Sequence, residues 1–339
     1  MRTIKVNTAK PYEIHIANGL LNRCGELTAE LINPCSAMIV SDNVVYNLYG
    51  DTVKTSYESV GFKVDTFIFP NGEHSKNLGT VEKLLIFMAE QGITRSGLVI
   101  ALGGGVVGDL AGFAAAIYLR GISYVQIPTT LLAAVDSSVG GKTGVDMNIG
   151  KNLIGAFHQP TCVFCDPETF KTLPSEIFND GLCEIIKYGC IYSENLFNML
   201  LNEYLYDKFE YIVGICVNIK REIVERDEFD RNERQLLNFG HTAGHAIEAL
   251  SDYKISHGRA VAMGMKIMEK DDRLMKIFHK YNININCPYN AKELAYKALT
   301  DKKREGEKIT LVFLEKIGKA YLKKVNTNEL ENIFAKGLS

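Results

Sequence analysis

The chain has 339 residues, 46% hydrophobic and 23% charged, with 38 Lys+Arg against 40 Asp+Glu for a formal net charge of −2. That balance suits one large or two ordinary globular domains and excludes disordered, collagen-like and rod-like chains. It leaves no global electrostatic footprint for nucleic acid or an anionic membrane, so neither is expected as a partner, although a local basic pocket stays open.

The opening stretch MRTIKVNTAKPYEIHI reads as two strands, 3–7 and 12–17, with no apolar run of the kind a secretory leader carries. A helix over 20–29, a strand over 37–41, a helix reaching about 60 and a strand over 63–70 follow. Then come a helix over 77–91, a strand over 98–102, a helix over 106–119 and a strand over 123–128. The most membrane-like window, 98–119, holds Asp109 and five glycines and changes character at its GGG, which reads as a buried strand feeding a buried helix. Strands separated by helices of this length imply βαβ units and a mainly parallel sheet covered on both faces.

After Gln159-Pro160 the texture changes. One short strand, 162–165, precedes helical segments expected over 175–201, 208–226, 234–250, 260–278 and 291–300, then a strand over 308–314 and a helix over 328–335. The expectation is an α/β nucleotide-binding domain over 1–159, Rossmann-like with a mainly parallel sheet, followed by a mostly α-helical domain over 160–339, with ligand taken in a cleft between them. The eight cysteines form no regular framework, and Cys162-Val163-Phe164-Cys165, the only CxxC, sits in an apolar run that reads as a strand rather than a zinc knuckle. A reducing, cytoplasmic setting is expected.

Gly103-Gly104-Gly105-Val106-Val107-Gly108-Asp109 follows a strand and opens a helix. Glycines let the backbone turn sharply and approach a ligand, and a helix N-terminus favours phosphate. The acidic residue expected about twenty positions on in the standard dinucleotide fold is missing, since the chain there reads Tyr124-Val125-Gln126. A second stretch, Thr129-Thr130 through Asp136-Ser-Ser-Val-Gly-Gly-Lys142 to Gly150-Lys151-Asn152, reads as a loop that closes over anions.

Arg234, Asn238, His241 and His245 are spaced 4, 3 and 4 apart, which on one helix places them within an arc of roughly 60°. Leu236, Phe239, Ala243, Ile247 and Leu250 lie opposite as a core stripe. His257 opens the next helix, and Glu184 stands with Lys187 at i+3 on another. Two imidazoles and a carboxylate with an open position describe a catalytic zinc-type site. Spacing alone does not single out Glu184 among the 40 acidic residues.

The stretches NGEHSK (71–76), GGGVVGD (103–109), YLRG (118–121), IPTTLLAAVDSSVGGKTGVD (127–146), GKNLIGAFHQP (150–160), CEIIKYG (183–189), RQLLNFGHTAGHAIEA (234–249) and HGRAVAMGM (257–265) occur in this order. In them the chain resembles the 3-dehydroquinate synthase family of sugar phosphate cyclases. The resemblance implies that Glu184, His241 and His257 bind a divalent metal, zinc or cobalt. It implies that Glu73, Lys76, Gly105, Val106, Val107, Gly108, Asp109, Thr129 and Thr130 hold NAD, with Asp42 near the adenosine end and Thr169, Phe170, Lys171 and Thr172 on the nicotinamide side; Asp136, Lys142 and Lys151 adjoin the cofactor. Substrate would meet Asp136, Lys142, Lys151, Asn152, Lys187, Lys220, Arg234, Asn238 and His245, with Lys142, Asn152, Lys187, Arg234, Asn238 and His245 taking part in catalysis. Arg120 would reach the substrate phosphate from the neighbouring subunit of a homodimer, and Lys302 or Lys303 would add a cation.

The implied reaction turns 3-deoxy-D-arabino-heptulosonate 7-phosphate into 3-dehydroquinate and phosphate, a step toward the aromatic amino acids. It runs by oxidation with NAD, phosphate elimination, reduction, ring opening and aldol closure. Four positions depart from the family's commonest pattern: Cys183 for Ala, Asp230 for Glu, Asn232 for Gly and Arg259 for Glu. Asn232 is expected to take the positive φ of the glycine it replaces. Three other readings remain at this point: a metal- and NAD-dependent polyol dehydrogenase, a sister cyclase acting on another sugar phosphate, and a non-enzymatic protein on the same scaffold.

Overall fold

The apolar runs assemble into one seven-stranded sheet in the computed structural model, which describes residues 1–205, 208–300, 304–305 and 307–339. β1 (Arg2–Val6) and β2 (Tyr12–Ile16) pair antiparallel. β3 (Ser36–Asp42), β4 (Lys63–Phe69), β5 (Leu98–Gly103) and β6 (Ser123–Pro128) follow; after a separate hairpin of β7 (Lys142–Met147) and β8 (Gly150–Phe157) comes β9 (Cys162–Cys165). The order is β1-β2-β9-β6-β5-β3-β4, and every pairing beyond the first is parallel.

Successive strand residues alternate between two cores, as the two-residue period of a strand requires. Met38, Val40 and Val99 pack with residues of α4 (Leu78–Glu90) and α5 (Gly105–Ile117). Ala37, Ile39, Leu98 and Ile100 pack on the other face with α1 (Cys24–Ala29) and α3 (Asp51–Glu58). α3 is entered through a short α2 (Asn43–Val45) and a wide turn at Tyr46–Gly50. Both faces are therefore covered, which is why these strands read as near-continuous apolar runs.

The chain leaves β3 for β4 on one side and returns to β5 on the other, so the direction of winding reverses between β3 and β5. In open α/β sheets ligands bind beyond the carboxyl ends of the strands at such a reversal. Asp42 ends β3 there and the Gly103–Gly105 turn ends β5.

Two compact units are present: Met1–Leu173 with Lys220–Phe229, and Pro174–Ile219 with Asp230–Ser339. This differs from the expected 159/160 division. β9 lies between β2 and β6 in the sheet. The end of α8 (Phe209–Arg226) joins the first unit because the Asn7 backbone N–H donates to Glu225 Oε1 (2.7 Å) and Gln159 Nε2 donates to Glu228 Oε1 (2.9 Å).

The second unit is mostly helical. Before α8 it holds α6 (Ser175–Ile191) and α7 (Glu194–Asn202), and after it α9 (His241–Leu250), α10 (His257–Met268), α11 (Asp272–Lys280), α12 (Ala291–Thr300) and α13 (Leu330–Leu338). A three-stranded sheet of β10 (Arg304–Glu305), β11 (Lys308–Lys316) and β12 (Lys319–Asn326) packs with them, and the core includes Ala243, Ile247, Met263, Leu311 and Phe334.

Several expected elements are subdivided. The helix expected over 175–201 breaks at Tyr192-Ser193, where Ser193 caps α7 by accepting from the Leu196 N–H. The one expected over 260–278 begins three residues earlier, at His257, and breaks before Asp271, whose carboxylate caps α11. The β7–β8 hairpin falls where an anion-closing loop was expected. Among the described residues no helix is long and apolar enough to cross a membrane; the window over 98–119 is β5 and α5.

Candidate functional site

Residues 181–191 of α6 are buried all round, so Glu184 and Lys187 lie in the interior of the second unit, each about 1% exposed. They form an ion pair one turn apart. Two charges in such a place cost several kcal/mol of lost hydration unless paired and put to use, so they mark a site.

Arg234 and Asn238 do not share a helix with His241 and His245. They occupy a 3-10 turn, Glu233–Asn238, which ends at Phe239 before Gly240 turns left-handed at φ 77° and starts α9. Gly240 is required there: a Cβ would stand 2.8 Å from the Met265 N and the Val261 carbonyl of α10. α9 and α10 meet backbone to backbone, since a Cβ on Gly264 would fall 1.9 Å from the Gly240 carbonyl oxygen. That approach puts the His241 and His257 rings 5.3 Å apart.

Glu184 Oε1 lies 3.6 Å from His241 Nε2 and 3.5 Å from His257 Nε2. One ligand atom from each of the three lies within 4.8 Å of the others. The far nitrogens explain the aim. His241 Nδ1 donates to the Phe239 carbonyl (3.1 Å) and His257 Nδ1 donates to Glu248 Oε2 (3.1 Å). Both acceptors lack a proton to give, so each Nδ1 carries one, and Nε2 is the ring nitrogen turned to the shared point. A carboxylate and two imidazoles so held fit a divalent cation of the zinc type. Burial works to lower the His257 imidazole, but hydrogen bonds to Glu184 and Glu248 carry it up to about 10, so a cation at the shared point would take the place of a proton on Nε2.

Asp180, one turn before Glu184, accepts from Ser256 Oγ (2.6 Å) and the Arg259 N–H (3.3 Å), so α6 caps the helix that His257 opens. Burial holds the Asp180 carboxyl above its ordinary range. His245 is half-buried with its ring 5.4 Å from that of His241. Arg234 is buried and Asn238 half-buried.

Apart from Lys302 and Lys303, the other expected site residues lie in the first unit. Gly104 precedes α5 with no side-chain cap, leaving the first-turn N–H groups of Gly105, Val106 and Val107 to a ligand. Thr129 is 2% exposed, and its Oγ1 meets no hydrogen-bond partner among the described residues. An uncapped glycine helix start beside a buried orphan hydroxyl, at the sheet's winding reversal, fits a dinucleotide diphosphate. A Cβ on Gly104 would come 2.9 Å from Thr130 Cγ2.

Lys76 Nζ lies 2.6 Å from Asp109 Oδ2 and donates to Asn152 Oδ1 at 2.6 Å. Burial works to lower the Lys76 ammonium, but Asp109 and Glu73 carry it above the usual lysine value. Asn152, left-handed at φ 54°, donates its N–H to Asp146 Oδ1 (2.7 Å), and Lys151 lies 3.5 Å from Glu73. Lys220 pairs with Asp136 at 2.8 Å. Lys142 is exposed on β7, and Gly108 sits one turn into α5 against Gln126.

Asp42 accepts from the Val44 and Val45 N–H groups, both at 2.9 Å, capping α2. Thr169, Phe170, Lys171 and Thr172 share the 3-10 turn Pro167–Thr172, with Thr169 and Phe170 buried and Lys171 paired to Glu168. Arg120 is exposed at φ 71° at the end of a turn following α5. Lys302 and Lys303 lie outside the described residues. The left-handed residue near Asn232 is Asp230 (φ 57°), whereas Asn232 has φ −140°, so the positive φ expected of Asn232 falls two residues earlier.

Sequence reading passed over Glu248 and Asp180. Glu248 stands seven residues after His241, two turns along the same face, and Asp180 four before Glu184. Helical spacing was the available signal for both.

Comparison with known proteins also finds two parts, divided at 180/181 rather than at 173/174. Residues 66–180 match the family described as 3-dehydroquinate synthase N-terminal, and residues 181–304 match 3-dehydroquinate synthase C-terminal. The 3-dehydroquinate synthase of Clostridium acetobutylicum is 42% identical, covering 97% of this chain and 98% of that protein. The chain belongs to the 3-dehydroquinate synthase family. The family's member from Lactococcus lactis subsp. cremoris is 44% identical, covering 96% of this chain and 97% of its own. Among solved structures, 2-deoxy-scyllo-inosose synthase complexed with carbaglucose-6-phosphate, NAD+ and Co2+ superposes with a TM-score of 0.86 at 24% identity, covering 99% of this chain and all of that one (100%). A 2-epi-5-epi-valiolone synthase from Streptomyces hygroscopicus subsp. jinggangensis with NAD+ and Zn2+ bound gives 0.87 at 23% identity, covering 99% and 98%. At that identity the two structures speak for the family's fold alone.

Proposed function

We propose that the chain converts 3-deoxy-D-arabino-heptulosonate 7-phosphate to 3-dehydroquinate and phosphate, the reaction of its family. The observation that carries this is identity of 42–44% to curated 3-dehydroquinate synthases over nearly the whole of both chains. The convergence of Glu184, His241 and His257 agrees with it.

Glu184, His241 and His257 would hold zinc or cobalt, and the first turn of α5 with Thr129 and Thr130 would hold NAD. When bound, the cation supplies Lewis acidity at a substrate hydroxyl and NAD a reversible hydride acceptor. The chain's own residues bind, orient and move protons. A substrate with a carboxylate and a phosphate gives a use to the motif cations Arg120, Lys142, Lys151, Lys187, Lys220 and Arg234 in a protein of net charge −2. Asn152 and Asn238 add neutral hydrogen bonds, and Asp136 orients Lys220. His245, beside the two ligand imidazoles and not one of the trio, moves the proton of the substrate hydroxyl. The departing phosphate can take the proton lost in the elimination, so no further strong base is needed.

Arg120 serves a second protomer in this reading. Leu119 (φ 49°) and Arg120 (φ 71°) are both left-handed, a costly backbone at an exposed arginine that suits a functional role. The eight cysteines, all thiols, support a cytoplasmic setting.

The test is phosphate release from the heptulosonate phosphate with zinc and catalytic NAD, while absorbance of NADH is followed. One phosphate per substrate with no net NADH is expected. Accumulating NADH would make the chain a dehydrogenase, and absence of both signals would overturn the substrate assignment. Analytical ultracentrifugation with loss of activity in Arg120→Ala checks the dimer.

A further inference from the structure

Glu248 is buried, 3% exposed, two turns along α9 from His241. It touches the other imidazole, His257, across the α9–α10 contact. We propose that Glu248 is a positioning residue of the cation site. It holds His257 in the Nδ1–H tautomer, aims Nε2 at the point shared with Glu184 and His241, and adds a second buried negative charge that favours a dication. The inference rests on reading the trio as a cation site.

His241 supplies the contrast. Its Nδ1 is met by a main-chain carbonyl, Phe239, in the non-helical step before α9. His257 opens α10 and turns its Nδ1 toward Glu248 in the last turn of α9, where the Glu248 carbonyl already accepts from the Tyr253 N–H and Ser251 Oγ. The Glu248 carboxylate is the acceptor in place, at 3.1 Å. Without an acceptor the ring can rotate about χ2 or change tautomer, and Nε2 leaves the shared point. A carboxylate on a ligand imidazole also makes that imidazole a stronger donor to the metal.

A rival assignment exists in the same residues. His245, Glu248 and His257 also offer ligand atoms within 4.8 Å of one another, so Glu248 is alternatively a direct ligand of a second ion. That arrangement requires His257 to give up its Nδ1 proton, whereas the Glu248 contact has the length of a hydrogen bond.

The experiment titrates metal-stripped full-length chain with Zn2+ against a chelating dye, without substrate or NAD. It compares the parent with Glu248→Gln and Glu248→Asp, and records the visible spectrum of the Co2+ forms. One zinc per chain is expected throughout, with affinity weakened by about 10- to 100-fold in Glu248→Gln and less in Glu248→Asp, which keeps the charge. The Co2+ bands should shift in Glu248→Gln. If Glu248→Gln fails to fold, Glu248→Asp carries the comparison. Zinc affinity within twofold of the parent in the folded variants would overturn the proposal. So would a parent that binds two zinc ions and a variant that loses one, which would make Glu248 a ligand. A parent that binds no zinc would remove the cation-site reading itself, and this role with it.

Discussion

Glu184 and Lys187 show how a single side chain declares a site: neither charge belongs in a helix buried on every face unless something there uses it. Glu184→Gln keeps the shape and removes the ligand charge. Zinc affinity should fall at least about 100-fold, measured by dye competition, with phosphate release lost in parallel. In the first unit Lys76 is the counterpart of Asp109 and Asn152. Lys76→Met should leave Asp109 without its nearest cation and cost about 2 kcal/mol, read from urea unfolding without NAD, while Lys76→Arg should recover part of it. The thiols behave by burial. Cys24 is pushed up to about 12 and Cys183 well above the usual thiol value, burial being the main cause in both. In the native chain alkylation at pH 8 should therefore reach the half-buried Cys35 and Cys287 first and leave Cys183 intact, as peptide mass spectrometry would show. Cys183 beside Glu184 thus packs rather than ligates.

At the scale of elements, α9 and α10 are held at glycine distance. Gly264→Ala places a methyl where the Gly240 carbonyl oxygen already stands, 1.9 Å away. The helices must part, at about 1–3 kcal/mol of overpacking, and His257 should move off Glu184. A lower melting temperature together with weaker zinc binding is the expected result, and unchanged zinc affinity would mean that the ligands follow α6 rather than the α9–α10 contact. This scale is also where sequence periodicity misled. Arg234, Asn238, His241 and His245 have the spacing of one polar face, yet Gly240 interrupts it, because a left-handed glycine can pass under Val261 and Met265 where a side chain cannot. The β7–β8 hairpin was read as a loop for a related reason: GGKTG and IGKN carry the glycines of a turn, and only pairing across Thr143–Ala156 and Val145–Ile154 makes strands of them.

For the molecule as a whole, a cation that binds only the folded helical unit stabilises it by mass action, about 2.7 kcal/mol at a hundredfold excess over Kd. A chelator should lower the melting temperature, zinc should restore it, and His241→Ala should abolish the difference. Hydrogen exchange should place the added protection on α6, α9 and α10, the elements that carry the trio.

Strand and helix alternation, the glycine turn at the end of β5 and the residue types of the trio were legible in the sequence, because they follow from local periodicity and from what each side chain can do. The family was legible too, since its motifs are contiguous stretches. Which of the 40 acidic residues faces His241 and His257 was not decided by spacing, nor was the part of Glu248 and Asp180, nor the return of residues 220–229 to the first unit. Those depend on where separate helices come to rest against one another, and that is set by glycine contacts and buried hydrogen bonds between residues distant along the chain.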